Sequence, residues 1–301
     1  MSPSTTWPRS TPSSPSRRST RLSQPDPSVP HDPDAALPIG VLRSIRRLTQ
    51  RRGRDLSGKF LVEGRQAVRE ALAAGSIVEE LIVEDPGKHA DLIEGATLPV
   101  WTASEQNMRQ LSDTVTPQGI IAVCRQLSFG WDDLADAQLV VICAQVRDPG
   151  NAGTVIRCAD AFGADAVILT TGSVDIYNPK TVRSTVGSLF HMPILTGIEL
   201  QQAVDHVRGQ GMQVLAADGD GSPLDLKQVR GELARPTAWI MGNEAWGLPE
   251  ADRALADEVV AVPMWGGAES LNLSSAAAVC LYATASAQRR SQEKESHERA
   301  Q

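Results

Sequence analysis

An α/β protein is what this sequence predicts, with a parallel sheet in a larger carboxyl-terminal domain and a smaller α/β module before it. Three observations carry the prediction. Residues 139–144, Leu-Val-Val-Ile-Cys-Ala, form a near-continuous apolar run, as expected of a strand covered on both faces. Apolar runs then alternate with helix-patterned stretches as far as residue 288, which implies crossovers between parallel strands. Three of the strand ends open into glycine-bearing loops, and open α/β sheets bind ligands at the carboxyl ends of their strands.

At 301 residues the chain has room for two domains of ordinary size. No apolar run reaches the roughly 18–20 residues that a membrane span needs. The first thirty residues lack the apolar core of a signal peptide, so a cytoplasmic location is expected. Cys124, Cys143, Cys158 and Cys280 lie far apart in apolar or mixed segments and read as buried free thiols. Neither they nor the five histidines show a metal-like spacing, so no metal is expected. The net charge is −7, yet residues 1–60 hold eleven Lys and Arg against four acids. A basic front on an acidic body directs a polyanion such as RNA to one face. A merely solvated charge run is the competing reading.

Residues 1–38 are Ser-, Pro- and Thr-rich with few aliphatics, and they read as disordered. Residues 41–54 hold six arginines, with Val41, Leu42, Ile45 and Leu48 on one face of an expected single helix. Strands are expected at 59–62, 78–83, 100–102 and 119–124, with helices at 64–74 and 104–111. These make a small module over 39–126, and 127–138 is the expected linker. In the domain spanning 139–288, helices are expected at 152–162, 179–188, 200–209 and 272–288. Its strands fall at 139–144, 166–169, 192–195, 213–217, 238–241 and 258–263. The charged tail 289–301 is expected to fray.

The first loop runs Gln145-Val146-Arg147-Asp148-Pro149-Gly150-Asn151. Asp-Pro-Gly reads as a turn, with Asn151 as the cap of the next helix. Arg157 lies among Val155, Ile156 and Ala159, an odd choice for a solvated face. Either it pairs with Asp160 or Asp165, or its guanidinium waits for an anion or a ribose-phosphate. The second loop, Gly242-Asn243-Glu244-Ala245-Trp246-Gly247, again follows an apolar strand. Gly242 there lets a ligand approach the backbone, and Glu244 is either a turn filler or a site carboxylate. The third loop, Met264-Trp265-Gly266-Gly267-Ala268-Glu269-Ser270-Leu271-Asn272, leads into a long helix that Asn272 or Ser270 can cap.

Asn151-x-Gly153-x-x-x-Arg157, Gly242-Asn243-Glu244-x-x-Gly247 and Pro263-Met264-x-Gly266 through Ser270-Leu271-Asn272-Leu273-Ser274 resemble, in order, the three motifs of the SpoU/TrmH family. Members are S-adenosylmethionine-dependent RNA ribose 2′-O-methyltransferases. The resemblance covers about residues 139–286. The module at 39–126 is similar to the ribosomal-protein-like substrate-binding domain that precedes many members. The sequence departs from the pattern at Ala245-Trp246 and at Cys158. The resemblance implies a sheet closed by a deep trefoil knot, which the second and third loops form, and a homodimer whose sites the partner completes. It also implies S-adenosylmethionine bound by Gly242, Val262, Met264 and Leu271, with Asn151, Arg157, Glu244, Ser270 and Asn272 as the catalytic set. Among these, Arg157 would position the 2′-hydroxyl and adjacent phosphate, since an arginine base conflicts with its normal pKa. Ribosomal RNA is favoured over transfer RNA because of the amino-terminal module. A dinucleotide-dependent enzyme lacks its GxGxxG here. A non-catalytic RNA-binding protein would have no need to retain the five polar residues.

Overall fold

The protein, described from a computed structural model over residues 36–75, 77–94 and 96–299, is built on two sheets. The expected disorder of 1–38 lies outside the described residues except for its last three. The first sheet holds β1 (Lys59–Glu63), β2 (Val78–Val83), β3 (Val100–Thr102) and β4 (Ile120–Arg125), in the order β1-β4-β2-β3. β4 runs antiparallel to both neighbours, and β3 lies parallel to β2. Helices α1 (Ile39–Arg47), α2 (Arg51–Ser57), α3 (Arg65–Ala73), α4 (Ala90–Ile93) and α5 (Glu105–Leu111) complete this part.

The expected single helix at 41–54 is two helices, and Arg54 explains the break. Its buried guanidinium donates to the Leu48 carbonyl at 2.9 Å, which turns α2 back onto the end of α1. Gly53 permits the approach, since a Cβ there would meet the Arg47 carbonyl oxygen at 2.0 Å.

The second sheet is wholly parallel and ordered β10-β8-β9-β5-β6-β7. Its strands are β5 (Leu139–Cys143), β6 (Ala166–Thr170), β7 (Ile194–Ile198), β8 (Gln213–Pro223), β9 (Thr237–Met241) and β10 (Glu258–Ala261). Every residue of β5, β6 and β9 is buried, as their unbroken apolar runs require. One face packs on α8 (Leu200–Gly209) through Val140, Ile142, Ala203 and Val207. The other face packs on α6 (Pro149–Phe162) and α11 (Leu273–Arg299). There Trp239 of β9 donates its indole N–H to Thr284 of α11 at 3.0 Å.

Four further expectations change. α6 begins at Pro149 rather than 152, because Asp148 caps it by accepting the Asn151 N–H at 2.8 Å, and proline suits the first helical turn. Asn151 is therefore not the cap. α11 continues to Arg299, so the tail expected to fray is helical as far as the described residues extend. β8 runs past Ala217 because its pairing with β10 jumps from Ala216↔Val259 to Ser222↔Val260, and the Asp/Gly-rich residues between bulge outward. The short helices α4, α9 (Leu224–Val229) and α10 (Glu250–Arg253) were not anticipated, since none is long enough to show a period.

Both sheets belong to one compact unit. Between them stands α7 (Pro179–Thr185), and one apolar cluster runs from Phe60 and Val62 of β1 to Val182, Leu189 and the face of β5. Phe60 sits 4.5 Å from Tyr177, centroid to centroid. Arg54 completes the join with a bond to Asp175 at 2.6 Å. No helix among the described residues is long and apolar enough to cross a membrane.

Candidate active site

After β5 the chain turns to β6 and β7, whereas β9, β8 and β10 lie on the other side of β5. A crevice is expected at that reversal of strand order. The loops after β5 and β9 flank it, and the loop after β10 closes over it.

Side chains tie the three loops together. Glu244 accepts the N–H groups of Arg147 (3.3 Å) and Asp148 (3.2 Å) and the side-chain amide of Asn151 (3.2 Å). Asn151 in turn accepts a hydrogen bond from the Asn272 amide at 3.1 Å. Asn272 caps α11, its oxygen receiving the Ser274 N–H at 2.9 Å. Sequence reasoning missed Asn243, which is buried and donates to the Gln145 carbonyl at 2.6 Å, a fourth bond between the first two loops. Its place between Gly242 and Glu244 was the available signal.

A cavity of about 420 Å³ opens beside this chain of bonds. Gly242, Glu244, Val262, Met264, Ser270, Leu271 and Asn272 line it, seven of the nine residues the sequence singled out. Met241, Leu273 and Ala276 make an apolar floor. Asp218 and Gly219 of β8, and Glu269, also line it and were missed. The Asp218-Gly219-Asp220-Gly221 run after an apolar strand is the signal that could have found them. Gly242 is needed for reasons beyond ligand access. A Cβ there would meet the Gly247 carbonyl carbon at 2.6 Å, within the turn closed by mutual Asn243–Gly247 backbone bonds.

Asn151 reaches the cavity only through its bonds to Glu244 and Asn272, and Arg157 does not line it. Arg157 is exposed on α6 and has no hydrogen-bond or ion-pair partner among the described residues. The expected pairings do not form. Asp160 bonds His191 at 2.8 Å, and Asp165 accepts the N–H groups of Gln138 and Leu139 at 2.7 and 2.9 Å. The Asn151 N–H, with help from Lys180, holds the Asp148 carboxyl below its ordinary range, so the α6 cap carries a charge. Burial pushes the thiols of Cys143 and Cys280 up to about 12, which fits packing rather than chemistry.

Residues 138–282 match the SpoU rRNA Methylase family, and residues 41–122 match an MRM3-like substrate binding domain. The chain is 38% identical over 244 residues to the 23S rRNA (guanosine(2553)-2′-O)-methyltransferase RlmP of Bacillus subtilis, covering 80% of this chain and 94% of that protein. The chain belongs to the SpoU rRNA methylase family. Another SpoU relative is the 23S rRNA (uridine(2479)-2′-O)-methyltransferase of Streptomyces viridochromogenes, 30% identical across 78% of this chain and 85% of the relative. Among solved structures, the AdoMet-bound rRNA methyltransferase from Sinorhizobium meliloti superposes with a TM-score of 0.71 at 30% identity. It covers 83% of this chain and 95% of that one. The SpoU methyltransferase AviRb from Streptomyces viridochromogenes gives 0.73 at 27% identity, with coverages of 84% and 98%.

Proposed function

We infer that the chain transfers a methyl group from S-adenosylmethionine to a ribose 2′-hydroxyl in RNA, with ribosomal RNA as the substrate. The observation that carries this is the convergence of seven of the nine expected site residues, from two strand ends and their loops, on one cavity beside the Glu244–Asn151–Asn272 bonds.

The cavity fits the methyl donor. Its volume lies within the range of small-ligand sites, its floor suits a purine, and Asp218 and Glu269 offer carboxylates to a cationic molecule. Residues 264–271 make no backbone–backbone hydrogen bond among the described residues, so their exposed N–H and C=O groups are open to solvent and to a ligand. Gly242, Val262, Met264 and Leu271 would hold it there. When bound, the donor supplies a methyl group made electrophilic by its sulfonium.

The protein's own residues supply orientation. Glu244 fixes Asn151 and Asn272, and Ser270 and Asn272 hydrogen-bond the incoming nucleotide. Arg157 pairs with the phosphate and holds the 2′-hydroxyl for attack. A homodimer accounts for its position outside the cavity: the guanidinium serves the cleft of the second copy. Val279 and Tyr282, exposed on α11 where it packs on α6, supply an apolar surface for that association. The deep trefoil knot belongs to the same reading. A chain so threaded refolds from urea with a slow phase that prolyl isomerases do not accelerate.

Residues 39–126 form the RNA-substrate domain, joined through 127–138 to the methyltransferase domain at 139–288. Its exposed Arg43, Arg46, Arg47, Arg51 and Arg52 meet phosphates. The cytoplasm, where ribosomal RNA is modified, is the expected location. Arg157→Ala should lower methyl transfer roughly 100-fold or more while calorimetry still shows S-adenosylmethionine binding. Normal turnover in that variant would remove Arg157 from the mechanism. Mixing Arg157→Ala with Asn272→Ala subunits should restore part of the activity, because the two residues then come from different copies. Loss of 2′-O-methyl marks from the ribosomal RNA of cells lacking the protein would identify the nucleotide.

A further inference from the structure

Three described tryptophans are satisfied within the fold. Trp239 is buried, Trp101 donates to Glu80 at 3.0 Å, and Trp131 stacks on His206 at 4.1 Å. Trp246 and Trp265 stand apart, 48% and 87% exposed. An indole left in water forgoes a large burial gain, so its place on a surface is informative. Trp246 sits between the cavity-lining residues Glu244 and Gly247, and Trp265 directly follows Met264, which also lines it. Neither indole lines the cavity itself, but each stands on one of the two loops that do.

A cation accompanies them. The Arg147 guanidinium lies 4.9 Å above the Trp246 ring, and the Arg147 N–H is bonded to Glu244. Beside Trp265 the chain is Gly266-Gly267 and then the exposed Ala268, Glu269 and Ser270, with open space around both glycines. The other large apolar side chains exposed on this loop, Met264 and Leu271, line the cavity itself. A planar, unpaired base with its phosphate finds two aromatic faces and a guanidinium.

We propose that Trp246 and Trp265 are positioning residues that stack on unpaired bases flanking the target ribose, with Arg147 held over Trp246 to meet the adjoining phosphate. The inference rests on the methyl-transfer reading above and adds the form of RNA accepted: a single-stranded loop or bulge rather than an intact helix. Neither indole touches the reacting atoms, so their loss falls on RNA affinity and not on the chemical step.

The probe is a short single-stranded oligoribonucleotide titrated into the full chain while indole fluorescence is followed. Quenching is expected with this oligonucleotide and not with the same strand in a duplex or carrying abasic sugars. Trp246→Phe and Trp265→Phe should each remove part of the quench. With ribosomal RNA as substrate, Trp246→Ala and Trp265→Ala should each raise KM about tenfold, with kcat and S-adenosylmethionine affinity held, and the Phe variants should recover most of the loss. An unchanged KM in both Ala variants would overturn the proposal. So would a Trp265→Ala protein that sediments as a monomer where the parent is a dimer, since the indole would then be an intersubunit contact. If the parent protein methylates no RNA, the functional reading fails by itself; base-dependent quenching still decides the stacking.

Discussion

Glu244 receives three hydrogen bonds from the residues after β5 although it stands at the solvent edge. A carboxylate in that position works as a clasp, and Asn151 passes its hold on to Asn272. Asn151→Ala removes both links and should lower stability by about 1 kcal/mol in urea titrations. Single-turnover methyl transfer should fall far more than S-adenosylmethionine affinity, because the residue lies behind the cavity wall. The motifs made most of this wall legible, since residues at strand ends are brought together by the sheet itself. Asp148 is instructive in the other direction. With Pro149 following it, Asp148 is the better cap, and reading Asp-Pro-Gly as a turn is what assigns the cap to Asn151 instead.

At the scale of elements, α6 and α7 pack so closely that a Cβ on Gly153 would meet Ser184 Cβ at 2.5 Å and the Thr181 carbonyl at 2.7 Å. This motif glycine serves helix packing. Gly153→Ala should destabilise the fold by roughly 1–3 kcal/mol through overpacking, with cofactor affinity in the surviving folded protein unchanged. The kinked α1–α2 pair presents its exposed arginines on both segments. Replacing Arg46, Arg47 and Arg52 by Ala should weaken RNA binding and flatten its log–log salt dependence by roughly 0.7–0.9 for each phosphate no longer neutralised. Periodicity found these helices but not the break, because Arg54 folds back through a side-chain bond that no hydrophobic pattern records. α9 and α10 stayed hidden for the reason that short polar helices carry no stripe.

Across the whole molecule, the amino-terminal sheet is held to the methyltransferase domain by pairings far apart in sequence. Arg54 and Asp175 are separated by 121 positions, as are His191 and Glu70, and no local reading could have matched them. Arg54 is 2% exposed, and Arg54→Ala should cost about 3 kcal/mol in global stability. Burial disfavours the charged form of His191, but Asp160 and Glu70 outweigh it and raise its pKa above the ordinary histidine value. The bond is therefore at full strength below about pH 6.5 and is lost as pH rises through the raised folded-state value. The difference in Tm between the parent and His191→Gln should be largest in mild acid and shrink toward alkaline pH.

The apolar cluster shared by Phe60, Val182 and the face of β5 joins the two halves of the chain in one core. On the function proposed above, the arginine-bearing helices and the methyl-transfer cleft would act as the two jaws of a fixed gauge. An RNA would be measured by whether the structure gripped by one jaw sets an accessible ribose at the other. Target choice would then follow from the three-dimensional spacing within the ribosome's RNA more than from the letters around the modified nucleotide.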